Sequence, residues 1–507
     1  MMSNRIEIYG CDYSRAYCDE YLDADNLRLA DPLLRLYSDP EEARQLLRFI
    51  NRSQQSRDYE PNNSLEKAAK YLLTKRASSD NPNDLKWKFQ SLAGFFSGRL
   101  YDNQQVQPYL FRIGSRFDTI DGKPDEPGKP WFLLKMLEAW DEDFKLDENS
   151  IPNSMEELYE QLLVGWFIRC LRKVWLRLGS FRTYRQYERN DSRPCGRIDV
   201  NRHIRFNVGY DNGTIAYSYR EKTVDNHFNH LVLYAYSQLR RCFPRRVLWQ
   251  LERNREVRDI VTALMTQASD YGRFSVRTLL LKNRFPISQP YYLPYEELRE
   301  VCIRIVRHLG ISLDSDEDNQ NGEGFLFYMP DLWEAYVQRL LEKALAGTEY
   351  HLVTQSKHPL VQNRKCNGWL GECRPDYVIC DEHQQPIMIL DAKYRAGWED
   401  IFVNDNKLTA DGLMPDVTKC IRDMHVFNAR HCGVVFPMFR ATESTWNARK
   451  ISDKQNSLFL MIPIYVNPQK KDQSYSDWRS DFESAERENI EKHLSVWLKN
   501  VLKSQRQ

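Results

Sequence analysis

Three ionisable residues, Asp376, Asp391 and Lys393, stand in the stretch RPDYVICDEHQQPIMILDAKYR (374–395), which otherwise has the composition of two buried strands. An unpaired buried charge is costly, so the grouping needs a reason. The polar segment Asp381–Pro386 reads as the turn of an antiparallel hairpin. Asp376 and Asp391 are equidistant from its midpoint, which falls between His383 and Gln384. That register sets the two carboxylates opposite each other on one face, about 5 Å apart. Lys393 follows Asp391 by two residues and returns to the same face. Tyr377, Ile379, Ile387, Met388, Ile389 and Leu390 make the setting apolar.

Two carboxylates this close repel, and one of them is pushed toward its protonated form. A divalent cation reverses that cost, because Mg²⁺ prefers hard oxygen ligands. A lysine beside the ion orients or helps to deprotonate a water, or offsets charge building on a phosphate. Two acids, a lysine and Mg²⁺ or Mn²⁺ are a set suited to phosphodiester hydrolysis. The alternative from spacing alone is a salt bridge of Asp391 with Lys393 or Arg374 on a solvated sheet face.

The elements around the hairpin predict how it is held. From residue 325 to the end the pattern reads helix (331–346), two strands, helix (about 416–430), strand (433–436), strand (458–466) and a closing helix (about 481–503). Strands interleaved with helices predict an α/β sheet covered on both faces. The acidic, Gly-containing segment LDSDEDNQNGEGF (313–325) reads as the linker into this domain. Upstream, SMEELYEQLLVGWFIRCLRKVWLRLG has helical periodicity, with Ser154 and Glu157 as a capping box and Gly179 as a stop. HIRFNVGYDNGTIAYSYREKT carries alternation and an Asn-Gly hairpin signal, and HFNHLVLYAYSQLRRC reads as a helix. Residues 1–150 mix short helical patterns with loops. Three domains are expected: 1–150 (α+β, for partner docking or DNA recognition), 151–312 (mixed α+β) and 325–507.

Hydrophobic residues make up 42% of the 507 and charged residues 28%, a globular and not a disordered profile. Lys plus Arg (72) nearly balances Asp plus Glu (71), so net charge says nothing about partners. No apolar run approaches the roughly 18–20 residues that cross a bilayer, and the start lacks the apolar core of a secretory signal. The eleven cysteines include no C-x-x-C pair, which predicts free thiols in a cytoplasmic setting. Cys366, Cys373 and Cys380 recur every seven residues, but structural zinc needs four ligands and usually tighter spacing.

Local charge is more informative. Arg169 to Arg205 holds eleven Arg or Lys against three acids, with Trp175, Phe181, Tyr184 and Tyr187 interleaved. An excess of eight positive charges fits contact with phosphate. Arg182, Arg185 and Arg189 are the DNA-contact candidates there, with Arg374 beside the hairpin. A solvated helix face with internal ion pairs is the alternative.

The RPD-x14-DAK spacing resembles the PD-(D/E)XK nuclease signature, with Pro375-Asp376 and Asp391-Ala392-Lys393 as its halves. Many nucleases of that superfamily add a glutamate from the first helix. In MPDLWEAYVQRLLEKAL the matching residue is Glu334, which otherwise reads as a helix-start acid beside Asp331. YRQYERNDSRPCGRIDV, TVDNHFNHLVLYAYSQL and DLWEAYVQRLL, followed by the two nuclease halves, resemble the McrC family in order and spacing over roughly 154–465. The resemblance implies a PD-(D/E)XK restriction-endonuclease-like mixed sheet flanked by helices. It implies a metal-dependent endonuclease of a prokaryotic defence system, with double-stranded DNA as substrate and an AAA+ GTPase or ATPase motor as partner. Self-association stays open, and no membrane is implied. It also implies that Arg197 is a buried structural arginine. The rival readings are a non-catalytic DNA-binding adaptor that stimulates a motor, or a nuclease of this fold acting in repair or on RNA. Residues 1–150 match nothing in the family pattern. The helix after Lys393 carries Met424-His425 where a Gln or Tyr pattern is expected, which makes His425 a candidate accessory residue.

Overall fold

The computed structural model describes residues 6–11, 73–77, 85–89, 92–102, 105–123, 126–140, 150–208, 213–287, 290–308, 323–363, 368–395, 397–399, 413–439, 447–451 and 457–494. The chain divides into two compact units: Met1–Tyr159 with Gln320–Gln507, and Glu160–Asn319. The expected separation of residues 1–150 from 325–507 therefore gives way to a single unit built from both ends of the chain.

The N-terminal part contributes β1 (Ile6–Cys11), β2 (Leu73–Ala77), β3 (Leu85–Phe89), β4 (Leu92–Asp102), β5 (Gln105–Gly114) and α1 (Trp131–Trp140). Among the described residues this region is strand-rich, where short helical patterns were expected. Phe95, Phe96, Tyr101, Val106, Tyr109, Phe111 and Ile113 are strand-favouring types, and β4 and β5 pair antiparallel along their length.

α2 (Met155–Leu178), which belongs to the second unit from Glu160 on, starts as its capping signal predicts: Ser154 Oγ accepts from Glu157 N at 3.2 Å and Glu157 Oε2 from Asn153 N at 2.9 Å. It stops at Gly179, whose φ of +72° only glycine adopts easily. β6 (Thr183–Asp191), β8 (Ile215–Thr223) and the short β7 (Arg197–Ile198) form a three-stranded antiparallel sheet. Between β7 and β8 lies α3 (Val200–Asn207), not the first strand of a hairpin. Asp199 explains the difference, because its carboxylate caps Arg202 N at 3.1 Å and so starts a helix. Five helices follow: α4 (His227–Cys242), α5 (Arg245–Arg253), α6 (Arg255–Gln267), α7 (Val276–Lys282) and α8 (Pro294–His308). α4 occupies the predicted span and is capped by Asn226, which accepts from Asn229 N.

The C-terminal part begins with β9 (Glu323–Tyr328), which pairs with β4 and completes the sheet β1-β5-β4-β9. The linker expected at 313–325 lies largely outside the described residues, and its last three residues belong to β9. Next come α9 (Met329–Leu345), β10 (His351–Thr354), β11 (His358–Asn363), β12 (Gly368–Cys373), β13 (Tyr377–Cys380), β14 (Pro386–Ala392), α10 (Met414–Val426), β15 (His431–Phe439), β16 (Asn447–Lys450), β17 (Leu458–Val466) and α11 (Tyr475–Glu488). The closing helix expected at about 481–503 is described as α11 followed by a π turn at Asn489–Leu494, and residues 495–503 lie outside the described residues. A mixed six-stranded sheet runs β10-β13-β14-β15-β17-β16, with β14-β15-β17 parallel and the outer pairings antiparallel. Chain and sheet order agree with an α/β class.

Strand alternation assigns the two faces of this sheet. Val378, Ile389, Cys432, Val434 and Met461 pack with Cys420 and Met424 of α10. Tyr377 and Val435 face α9, where Tyr377 Oη donates to Glu334 O and Trp333 Nε1 donates to Val435 O at 3.2 Å. Burying each such large apolar side chain contributes about 1.5–3 kcal/mol. Gly433 sits at a close approach of β15 to β17, where a Cβ would lie 2.5 Å from Leu460 O.

Among the contacts that join the N-terminal segment to the C-terminal part, such as Arg116 Nη2 donating to Tyr394 O at 2.8 Å, one glutamine makes three. Gln469 Nε2 donates to Asp118 Oδ1 at 3.1 Å and to Lys129 O at 2.5 Å, and its Oε1 accepts from Lys129 N at 2.9 Å. Asp118 in turn caps α1, accepting from Phe132 N and Leu133 N. Among the described residues no helix is long and apolar enough to cross a membrane.

Candidate active site

The hairpin that carries the acids has the register the sequence predicts. Tyr377 pairs with Leu390 and Val378 with Ile389, so Asp376 and Asp391 meet one step further on. The turn is set by Asp381, whose Oδ1 accepts from His383 N and Gln385 N, with Gln384 at a φ of +59°. By the same alternation Asp376, Asp391 and Lys393 all point to the face that α10 covers.

The contacts are close. Asp376 Oδ2 accepts from Ala392 N at 2.6 Å, which fixes its carboxylate against the end of β14. Lys393 Nζ stands 2.5 Å from Asp391 Oδ2, an ion pair not aligned as a hydrogen bond. Lys393 N donates to Val435 O at 2.8 Å, so the backbone ladder holds the lysine in place. A second lysine, Lys419 of α10, donates to Asp391 Oδ1 at 2.7 Å. Asp416, one turn before Lys419, lies 3.5 Å from Lys393 Nζ. Asp391 is buried, with its side chain 2% exposed.

Burial decides the protonation states. It pushes the Asp376 carboxyl up to about 8, and the neighbouring charges of Asp391 and Glu334 add to the rise. Burial also works against the Asp391 anion, but Lys393 and Lys419 outweigh it and hold Asp391 below the usual carboxylate range. For Lys393 burial pulls downward, and the Asp391 charge more than reverses it. Glu334 is raised by burial, then by Asp331 and Asp391. It lies in the second turn of α9, not at its start: Tyr328 is the N-cap residue and no side chain caps that helix.

The donor chemistry suits a hard divalent cation. Burial and the charges of Asp391 and Glu334 disfavour the Asp376 anion, a cost that a divalent cation would offset, and the buried Asp391 Oδ2 has no aligned hydrogen-bond donor. The carboxylates sense one another, yet among the described residues no three His, Cys, Asp or Glu side chains converge as a ready-made metal site. Asp391 is instead drawn toward the two ammonium groups. Asp376 and Asp391 are therefore the pair that fits an ion, with Glu334 as the nearest further carboxylate.

Other candidates fall elsewhere. His425 is exposed, and it lies nine residues beyond Asp416, half a turn around α10 from that site-facing residue. It does not join the cluster, and its place in the last turn suits the negative end of the helix dipole. Arg374 is exposed and 3.5 Å from Glu372. In the second unit, Arg182 and Arg189 are exposed, the latter over the Tyr219 ring at 5.6 Å. Arg185 is bound within the fold, 3.0 Å from Asp270 and 3.7 Å from Asp225. Arg172, Lys173 and Arg202 pair with Glu256, Glu297 and Glu188, so part of the basic segment is internal ion pairing. Arg197, expected as a buried structural arginine, is exposed on the short edge strand β7. Cys373 and Cys380 are buried free thiols, and Cys366 lies outside the described residues.

Lys419 is the site residue that sequence reasoning missed. Its signal was available: Asp416 and Lys419 are three apart, hence on one helix face, and α10 directly precedes the parallel strand β15.

The family model for the McrBC 5-methylcytosine restriction system component matches residues 88–410. No curated protein matches the chain. Two solved structures from Thermococcus gammatolerans are similar. One is a half-complex of McrB AAA+ hexamers with bound McrC, at 15% identity and a TM-score of 0.44, covering 95% of this chain and 99% of that one. The other is the McrBC complex, at 16% identity and a TM-score of 0.32, covering 68% of this chain and 88% of that one. The family match spans well over half of the 507 residues, and the chain belongs to the McrBC 5-methylcytosine restriction system component family.

Proposed function

We propose that this chain is the DNA-cutting subunit of its restriction system, a metal-dependent PD-(D/E)XK endonuclease that hydrolyses phosphodiester bonds in double-stranded DNA. The observation that carries the reading is the meeting of Asp376, Asp391 and Lys393 at one end of a mixed sheet, on a face closed by α10. Asp376 and Asp391 would hold Mg²⁺ or Mn²⁺, assisted by Glu334. Such an ion supplies Lewis-acid stabilisation at phosphate and a more acidic water. Lys393, paired with Asp391 and fixed by its backbone to β15, would position or activate the attacking water and stabilise negative charge on phosphate. Ala392 N holds Asp376 in position. The 507 residues contain no G-x-x-x-x-G-K-[ST] loop, so nucleotide-driven movement would come from a partner AAA+ GTPase or ATPase.

The test uses the purified chain with plasmid, methylated and unmethylated at cytosine, in Mg²⁺, with and without the partner NTPase. Cleavage is expected, and Asp391→Ala or Lys393→Ala is expected to abolish it while circular dichroism stays unchanged. Full activity in either variant removes the site assignment. No nicks under any condition, combined with faster nucleotide hydrolysis by the partner, favours the adaptor reading.

A further inference from the structure

Lys419 raises a question of charge balance. Asp391 needs one counter-ion, and Lys393 already stands 2.5 Å from its Oδ2. Lys419 nevertheless occupies the other oxygen at 2.7 Å. The two lysines are held differently. Lys393 is 19% exposed, is fixed to a strand by its backbone, and has a second carboxylate in Asp416 at 3.5 Å. Lys419 is 32% exposed, rides on a helix at the end of a four-carbon stem, and pairs among the described residues with Asp391 alone. A metal that takes Asp391 Oδ1 must therefore displace Lys419 before it displaces Lys393.

We infer that Lys419 is an exchangeable cation: it neutralises Asp391 while no divalent ion is bound, and on displacement its ammonium pairs with a DNA phosphate. The inference rests on the nuclease reading and adds a residue and an order of events to it. The charge count explains why the freed lysine meets phosphate. A divalent ion on Asp391 leaves the cluster one positive charge richer, and a compact, strongly hydrated ammonium suits a phosphate oxygen as a point charge. The partly exposed position of Lys419 puts it at the side from which a polyanion approaches.

The experiment measures Mn²⁺ binding to the full chain without DNA, by paramagnetic resonance, and single-turnover plasmid cleavage at saturating Mg²⁺. Lys419→Gln removes the competitor, so Mn²⁺ is expected to bind about tenfold tighter. Cleavage is expected to slow by about 10²-fold, because a phosphate contact is lost. Lys419→Arg keeps the charge and is expected to return Mn²⁺ affinity toward the parent value. A lysine with a merely structural role predicts the reverse, weaker Mn²⁺ binding as Asp391 loses its place. Unchanged or weaker Mn²⁺ binding in Lys419→Gln overturns the exchange, and unchanged cleavage overturns the phosphate contact. Asp391→Asn separates this from failure of the nuclease reading. If Asp391→Asn leaves Mn²⁺ binding intact, no metal site exists there and both ideas fall. If it destroys binding while Lys419→Gln does not tighten it, the exchange alone falls.

Discussion

Two charged regions of this chain carry opposite kinds of positive charge. At the end of β14, Lys393 and Lys419 converge on a carboxylate whose side chain is 2% exposed. Arg182, just before β6, and Arg189 on β6 stand in solvent with no carboxylate partner among the described residues, whereas Arg185 is anchored. Charges of the first kind are desolvated and need compensation at short range. Charges of the second kind are hydrated, cost little and act at a distance through phosphate attraction. Under the proposed function the first region would break bonds and the second would hold DNA, and each role has its own signature.

The largest effect expected is at the buried cluster. Asp391→Asn keeps size and removes charge, so cleavage is expected to fall by at least about 10³-fold, as when a metal-holding charge is removed. DNA affinity measured without divalent ions stays within about threefold, since exposed phosphate contacts set it. Gel-based cleavage and anisotropy titrations on the same preparation check both. A variant that lost DNA binding and cleavage together would erase the division between the two regions.

The acids of the cluster also differ in their response to pH. Asp376 has a folded value of about 8 against an ordinary value of 3.8. Its contribution to stability is therefore complete below the ordinary value and is lost as pH rises through about 8. Asp391 is held below the usual range, so its contribution is present above the ordinary value and lost on acidification. In the absence of divalent ions, the melting temperature is expected to decline from pH 6 to 9, and Asp376→Asn to flatten that decline. Mg²⁺ is expected to raise the melting temperature more at pH 8.5 than at pH 6. A decline that persists in Asp376→Asn would move its origin away from this carboxyl.

The sequence exposed the parts of this design that depend on local spacing. The hairpin register needs only a midpoint and a period of two, and Asp376 and Asp391 meet where that arithmetic places them. Helix α2 declares itself through its cap at Ser154, and α4 through the helical run that it occupies. What stayed hidden depends on distant partners. β9 pairs with β4 across more than two hundred residues, and no local pattern announces a sheet made from both ends of a chain. The Gln469 contacts with Asp118 and Lys129 are equally non-local. At α3 the alternation of apolar residues suggested a strand, but the Asp199 cap prevailed. Lys419 reaches Asp391 only through the packing of α10 on the sheet, a contact 28 residues apart in sequence.

The exposed region predicts smaller numbers. Arg182→Ala with Arg189→Ala would remove the two phosphate contacts proposed here, which is expected to weaken DNA binding about tenfold at moderate salt and to lower the salt slope by about 1.8. Arg185→Ala is the contrast within the same strand. Its guanidinium serves Asp270 and Asp225, so its loss is expected to lower the melting temperature and to leave the salt slope unchanged. An unchanged slope in the double variant would move the DNA path off β6.

The smallest effect expected is at His425, and it sharpens the boundary of the buried cluster. α10 presents Asp416 and Lys419 to the hairpin and buries Cys420 and Met424 against the sheet. At about 100° per residue, position 425 comes round to the side away from Asp416, where its ring is exposed. Its place near the last carbonyls of the helix suits the negative end of the helix dipole. His425→Ala is therefore expected to change single-turnover cleavage by less than about twofold, and a loss on the scale of Lys419→Gln would mean that α10 turns on binding DNA.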